Sequence, residues 1–105
     1  MTTNLDVVFQ EEPEVVKIKL IGEVDISTVA KLREDLYEIV DKNASDVRLD
    51  CSDLNYIDST GLGVLVGVLK KVKEKNKNIY ITNLKSNIQK LFFITGLDKV
   101  FIIEE

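Results

Sequence analysis

The chain has 105 residues, enough for one compact domain with one core. Hydrophobic residues make up 45% and charged residues 30%, an ordinary soluble balance, and the net charge of −4 lacks the positive footprint of a dedicated nucleic-acid binder. There is no histidine and one cysteine, which rules out a Ser-His-Asp triad, a Cys-His pair, a His-ligated metal, a thiolate cluster and an internal disulfide.

Leu5 to Phe9 and Val15 to Ile21 read as strands. In the second, Val16, Ile18 and Leu20 alternate with Lys17 and Lys19, a half-buried period-2 pattern. Glu12-Pro13-Glu14 breaks the chain between them and predicts a hairpin. Gly22 to Ile26 reads as a loop, and Ser27 as the N-cap of a helix running to about Val40, with Val29, Leu32, Leu36 and Ile39 at helical spacing. Asp46 to Cys51 is a short strand, and Cys51 reads as a small buried apolar residue.

The second helix is expected from about Thr60 to Lys75, with Leu62, Leu65, Val66, Leu69 and Val72 as its core stripe. Val64 and Val68 lie off that stripe and admit two readings: a broad buried face, or an exposed patch for a partner. Lys70, Lys71, Lys73 and Lys75 read as a solvated face complementing the helix dipole. Ile79 to Thr82 is a strand. Ser86 and Gln89 have capping-box spacing before a third helix, which Gly96 would end in the left-handed conformation. Val100 to Ile103 is the final strand. The order β-β-α-β-α-β-α-β, without linker or repeat, predicts one α/β domain over residues 1–105. Its sheet is mixed, mostly parallel after an N-terminal hairpin, with helices packed on it.

The polar, acidic start gives no sign of a signal peptide, and the longest apolar run, Leu62 to Leu69, is far too short to span a bilayer. A cytoplasmic protein without membrane insertion is expected. No phosphate-binding loop of the Gly-x-x-x-x-Gly-Lys-(Ser/Thr) kind is present. Neither a catalytic group, a metal nor a cofactor is expected.

The chemistry concentrates in Asp58-Ser59-Thr60-Gly61-Leu62-Gly63, between a strand pattern and a helix pattern. Asp, Ser and Thr cap helix N-termini through side-chain oxygens. Ser59 therefore reads, on local chemistry, as an N-cap. It would also be a hydroxyl offered at the positive end of a helix, where free N–H groups favour an anion. Asp58 is either a local cap or part of a surface that a partner reads. Thr60 is a second hydroxyl with a first-turn role. Gly61 and Gly63 are expected to let a partner backbone approach.

This segment resembles the phosphorylation loop of anti-anti-sigma factors, the small bacterial STAS-domain proteins, and most closely their stress-response branch. Gly22-Glu23-Val24-Asp25 matches a second family block, and Leu91-Phe92-Phe93-Ile94-Thr95-Gly96-Leu97 a third, in the same order and spacing. The resemblance implies that Ser59 is the phospho-acceptor and that Asp25 approaches it from a neighbouring loop. It implies a partner surface of Asp25, Asp58, Ser59, Thr60, Gly61, Gly63, Val64, Gly67 and Val68. The implied partners are an anti-sigma factor with serine kinase activity and a phosphatase that resets the cycle. Nucleotide and magnesium would belong to the kinase, and the chain itself would not be an enzyme. The alternative is an interaction module of the same fold in a signalling scaffold or a lipid-transport complex.

Overall fold

The structure is a computed structural model that describes residues 4–104. Residues 1–3, on which the reading of the polar start partly rests, and residue 105 of the domain span lie outside the described residues. Strands β1 (Leu5–Glu11) and β2 (Val15–Val24) form the expected antiparallel hairpin, closed by a Glu12 N–H bond to the Val15 carbonyl at 3.0 Å. There follow α1 (Val29–Lys42), β3 (Asp46–Ile57), α2 (Ser59–Glu74), β4 (Ile79–Thr82), α3 (Ser86–Ile94), a 3-10 turn (Leu97–Lys99) and β5 (Ile102–Glu104). The sheet order is β1-β2-β3-β4-β5, with every pair after the hairpin parallel.

The strands step across the sheet in one direction, so right-handed crossovers put the helices on one face. Burial agrees. Val16, Ile18, Leu20, Val47, Leu49, Ile79 and Ile81 are buried under the helices. Their alternating neighbours Lys17, Lys19, Arg48, Asp50, Tyr80 and Thr82 form an open polar face. That face is laced by Lys17–Glu12 (3.3 Å), Lys19–Asp53 (3.1 Å) and Arg48–Glu104 ion pairs. Cys51 is buried as expected, and desolvation pushes its thiol up to about 12. Among the described residues no helix is long and apolar enough to cross a membrane.

Several boundaries move. The expected loop at Gly22 is strand, because Gly22 at φ +118 takes up a bulge and β2 continues to Val24. A side chain there would meet the Asn4 carbonyl oxygen at 2.1 Å. β3 runs six residues past Cys51, through polar positions whose strand propensity is low, because β2 supplies a pairing partner as far as Ile57. Thr28, not Ser27, precedes α1, and Lys85, not Ser86, precedes α3, with no side-chain cap at either. The final strand begins at Ile102 rather than Val100, after the 3-10 turn. Gly96 ends α3 at φ +75, as its position predicts.

The α2 lysines are not simply solvated. Lys71 pairs with Asp41 at 3.1 Å and lies 4.9 Å from the Tyr37 ring centroid, and the Lys75 ammonium reaches the Val40 carbonyl at 2.5 Å. They tie the end of α2 to α1.

Candidate functional site

The parallel register sets the site. Glu23 lies beside Tyr56 and Val24 beside Ile57, so β2 and β3 end together, and Asp25 and Asp58 leave the same edge of the sheet. Carboxyl ends of parallel strands are where open α/β sheets place their binding residues.

Asp25 organises its own turn. Its carboxylate accepts from the Ser27 amide at 2.9 Å and the Ser27 hydroxyl at 2.7 Å. Thr28 Oγ1 accepts from the Asp25 amide at 3.0 Å and donates to the Glu23 carbonyl at 2.8 Å. The turn is thus fixed at both ends, and Ile26 at its tip is 83% exposed.

Asp58 is the N-cap of α2. Its Oδ1 accepts from the Thr60 amide at 3.1 Å, the Gly61 amide at 3.2 Å and the Thr60 hydroxyl at 2.5 Å, and its carbonyl accepts from the Leu62 amide at 3.0 Å. The Thr60 hydroxyl, then the Gly61 amide, hold the Asp58 carboxyl below the ordinary carboxylate range, while the charge of Asp25 works against them. The two carboxylates therefore sense each other. The Thr60 and Gly61 amides are already taken by Asp58, so the helix terminus offers fewer free N–H groups to an anion than expected.

Ser59 is the first residue of α2, not its cap. It is exposed, and among the described residues its hydroxyl makes no hydrogen bond. Thr60 is also exposed, but its hydroxyl is committed to Asp58. Of the two adjacent hydroxyls, only that of Ser59 can give up its proton and keep its oxygen as a nucleophile without breaking a bond in the cap.

The remaining expected residues divide sharply. Gly63 faces open space, with no atom within 4 Å of an added Cβ. Gly61 is buried against the chain's own strands: an added Cβ would stand 2.5 Å from Val24 Cγ1 and 2.7 Å from Ile57 Cγ1. Its lack of a side chain serves internal packing, not the approach of a partner. Val64 and Val68, at 3% and 2% exposure, belong to the core, so the broad buried face is the correct reading. Gly67, on the same side of α2, is filled by Tyr37 of α1, whose hydroxyl oxygen would lie 2.3 Å from an added Cβ. Helix α1 covers the ridge that Val64, Gly67 and Val68 were expected to offer.

The exposed apolar residues at this edge are Ile26 and Tyr56, the latter 48% exposed. Neither was among the residues expected at the partner surface. Ile26 interrupts a polar turn without periodicity, and Tyr56 lies in a stretch not read as strand. An isoleucine flanked by Asp25 and Ser27 was the available signal. Among the described residues no cluster of three or more His, Cys, Asp or Glu could hold a metal.

Comparison with known proteins gives the relatives of this chain. The STAS domain family matches residues 6–105. The anti-sigma-B factor antagonist of Bacillus subtilis (strain 168) is 37% identical over 103 residues, covering 98% of this chain and 92% of the relative. Two solved structures share the fold. An anti-sigma factor antagonist from Mycobacterium paratuberculosis superposes with a TM-score of 0.84 at 21% identity, over 95% of this chain and 85% of that one. The Bacillus cell fate determinant SpoIIAA in its phosphorylated form gives 0.70 at 21% identity, over 99% and 92%.

Proposed function

The chain belongs to the STAS domain family, and from that premise we propose that it is an anti-sigma factor antagonist switched by phosphorylation of Ser59. In the cytoplasm the unphosphorylated protein binds an anti-sigma factor through the edge formed by Asp25, Ile26, Asp58, Ser59, Thr60 and Gly63, and a sigma factor is released. The anti-sigma factor is also the kinase. It transfers phosphate from ATP to Ser59, the complex separates, and a phosphatase restores the hydroxyl. The chain is ligand and substrate throughout, not an enzyme.

The observation that carries this reading is the division of labour at the start of α2. Asp58 holds the helix terminus and the Thr60 hydroxyl together, while Ser59 stands exposed at the first helical position. Chemistry on Ser59 therefore leaves the cap intact. A phosphate adds about −1.5 to −2 charge beside the Asp58 and Asp25 carboxylates. In the free protein that charge faces water. In a complex it would be confined against two like charges, and the cost falls on binding.

Incubating the protein with its cognate anti-sigma factor and ATP tests the assignment. One phosphate should appear, and peptide mapping should place it on Ser59. Ser59→Ala should fold, bind and stay bound. Phosphate on Thr60 or Ser27, or recovery of a membrane transporter instead of a kinase-like partner from native cells, would overturn the proposal.

A further inference from the structure

Strand β1 carries little of the protection that edge strands usually have, its only charges being Asp6 and Glu11 near its two ends. It is one of the two edge strands, spans seven residues, contains neither Pro nor Lys, and exposes Val8 and Phe9 at 54% and 50%. The hairpin fixes which of its backbone groups are free. The Glu12 amide bonds to the Val15 carbonyl and the Glu23 amide to the Asn4 carbonyl, each at 3.0 Å. Hydrogen-bonded positions alternate along an antiparallel ladder. Asp6, Val8 and Gln10 therefore turn their N–H and C=O groups toward β2, while Leu5, Val7, Phe9 and Glu11 turn theirs toward the open edge. Side chains follow the same alternation. Val7 and Phe9 point to the helix-covered face, opposite Leu20 and Ile18, and Val8 points to the open face, opposite Lys19. A cleft flanks the edge on each side: one of about 220 Å³ between Val7, Phe9 and Ile39, and one of about 320 Å³ between Val8, Lys17 and Lys19.

We propose that β1 is a self-association edge. A second copy of this chain adds its β1 antiparallel, about a two-fold axis perpendicular to the sheet at Val8, and the two sheets become one. The axis keeps both helix layers on the same face, which requires paired residues to share a face. Centring on Val7, Val8 or Phe9 meets that condition with the free backbone groups facing each other. Centring on Phe9 sets Glu11 against the partner's Val7, and centring on Val7 sets Asp6 against the partner's Val8. Centring on Val8 sets Val8 against the partner's Val8, Phe9 against the partner's Val7, and Asp6 against the partner's Gln10. Both exposed apolar side chains are then covered, and no like charges lie directly opposite. Only Leu5, already buried, meets the partner's Glu11 at the ends of the joint. Strand β2 separates the joint from β3 and Ser59, so both phosphorylation sites stay open in the dimer.

Cysteine cross-linking reads the register directly. At the two-fold, Val8 and the partner's Val8 form a non-hydrogen-bonded pair with Cα atoms about 4.5 Å apart, within the roughly 4.4–6.8 Å that a disulfide spans. Val8→Cys should form a covalent dimer under mild oxidation at least tenfold faster than Phe9→Cys. The native Cys51 is buried, with its thiol pushed up to about 12, and supplies the unreactive background. In sedimentation equilibrium the unmodified chain should show a concentration-dependent dimer. Val8→Lys should raise its dissociation constant at least tenfold, with an unchanged melting temperature at concentrations where both chains are monomeric. A monomer at every concentration up to the millimolar range, or a dimer that survives Val8→Lys, overturns the edge. Faster cross-linking of Phe9→Cys than of Val8→Cys overturns the register.

Discussion

Replacing Gly61 by alanine should cost stability, while the same change two residues along, at Gly63, should add it. Both positions lie in α2, where alanine is favoured over glycine by about 0.8–1 kcal/mol. Their surroundings differ. At Gly61 the new Cβ would stand 2.5 Å from Val24 Cγ1 and 2.7 Å from Ile57 Cγ1, roughly 1 Å inside ordinary carbon–carbon contact. Val24 and Ile57 are β-branched and buried, at 0% and 5% exposure, so they have little room to turn aside. Overpacking of this kind costs about 1–3 kcal/mol. Set against the helix preference, the net loss is up to about 2 kcal/mol, a fall of up to roughly 9 °C in melting temperature for a domain of this size. At Gly63 nothing lies within 4 Å, so the helix term stands alone and the melt should rise by about 4 °C. Thermal unfolding by circular dichroism measures both. The functional readout should run the other way at Gly63, where the added methyl meets the partner and weakens binding despite the firmer fold. Equal or same-signed shifts in melting temperature would refute the packing argument.

Val68→Lys should lower stability by several kcal/mol, because the side chain is 2% exposed and the new charge would have no buried partner; a denaturation midpoint close to the parent's would return Val68 to the surface. Ile26→Ala should weaken binding to the anti-sigma factor by about tenfold or more, roughly 1.4 kcal/mol, and leave the melting curve in place; unchanged affinity in a titration would remove Ile26 from the interface. Asp58 gives a pH signature. Its folded-state pKa is depressed, so its cap contributes fully above the unfolded-chain value and is lost only as pH falls through the lower folded value. Amide shifts of Thr60 and Gly61 should therefore titrate with a midpoint below the ordinary carboxylate range, and a midpoint above that range would contradict the cap.

Much of the fold was legible because it rests on local patterns. The alternation from Val16 to Leu20, the Pro13 turn and the strand Ile79–Thr82 carry their periodicity in a few consecutive residues. Gly96 was legible because a left-handed helix end has few other solutions. What was missed or left open depends on distant partners. The continuation of β3 past Cys51 exists because β2 lies beside it, and the burial of Val64 and Val68 exists because α1 crosses that side of α2. Hydrophobic spacing alone does not distinguish a helix packed on one neighbour from one packed on two. At the site, the sequence offered three adjacent capping-type residues and no means of ordering them. The geometry assigns the cap to Asp58, ties Thr60 to it and leaves Ser59 exposed. The nearness of Asp25 and Asp58 follows from the β2–β3 register, which only the fold supplies.

In the proposed function, one phosphate on Ser59 decides whether this chain holds its partner. Calorimetric titration of the cognate anti-sigma factor with the unmodified and the Ser59-phosphorylated protein, at fixed ionic strength, measures that directly. Phosphorylation should weaken binding by at least a hundredfold, about 2.7 kcal/mol, while the free protein keeps its fold. Equal affinity of the two forms would contradict it.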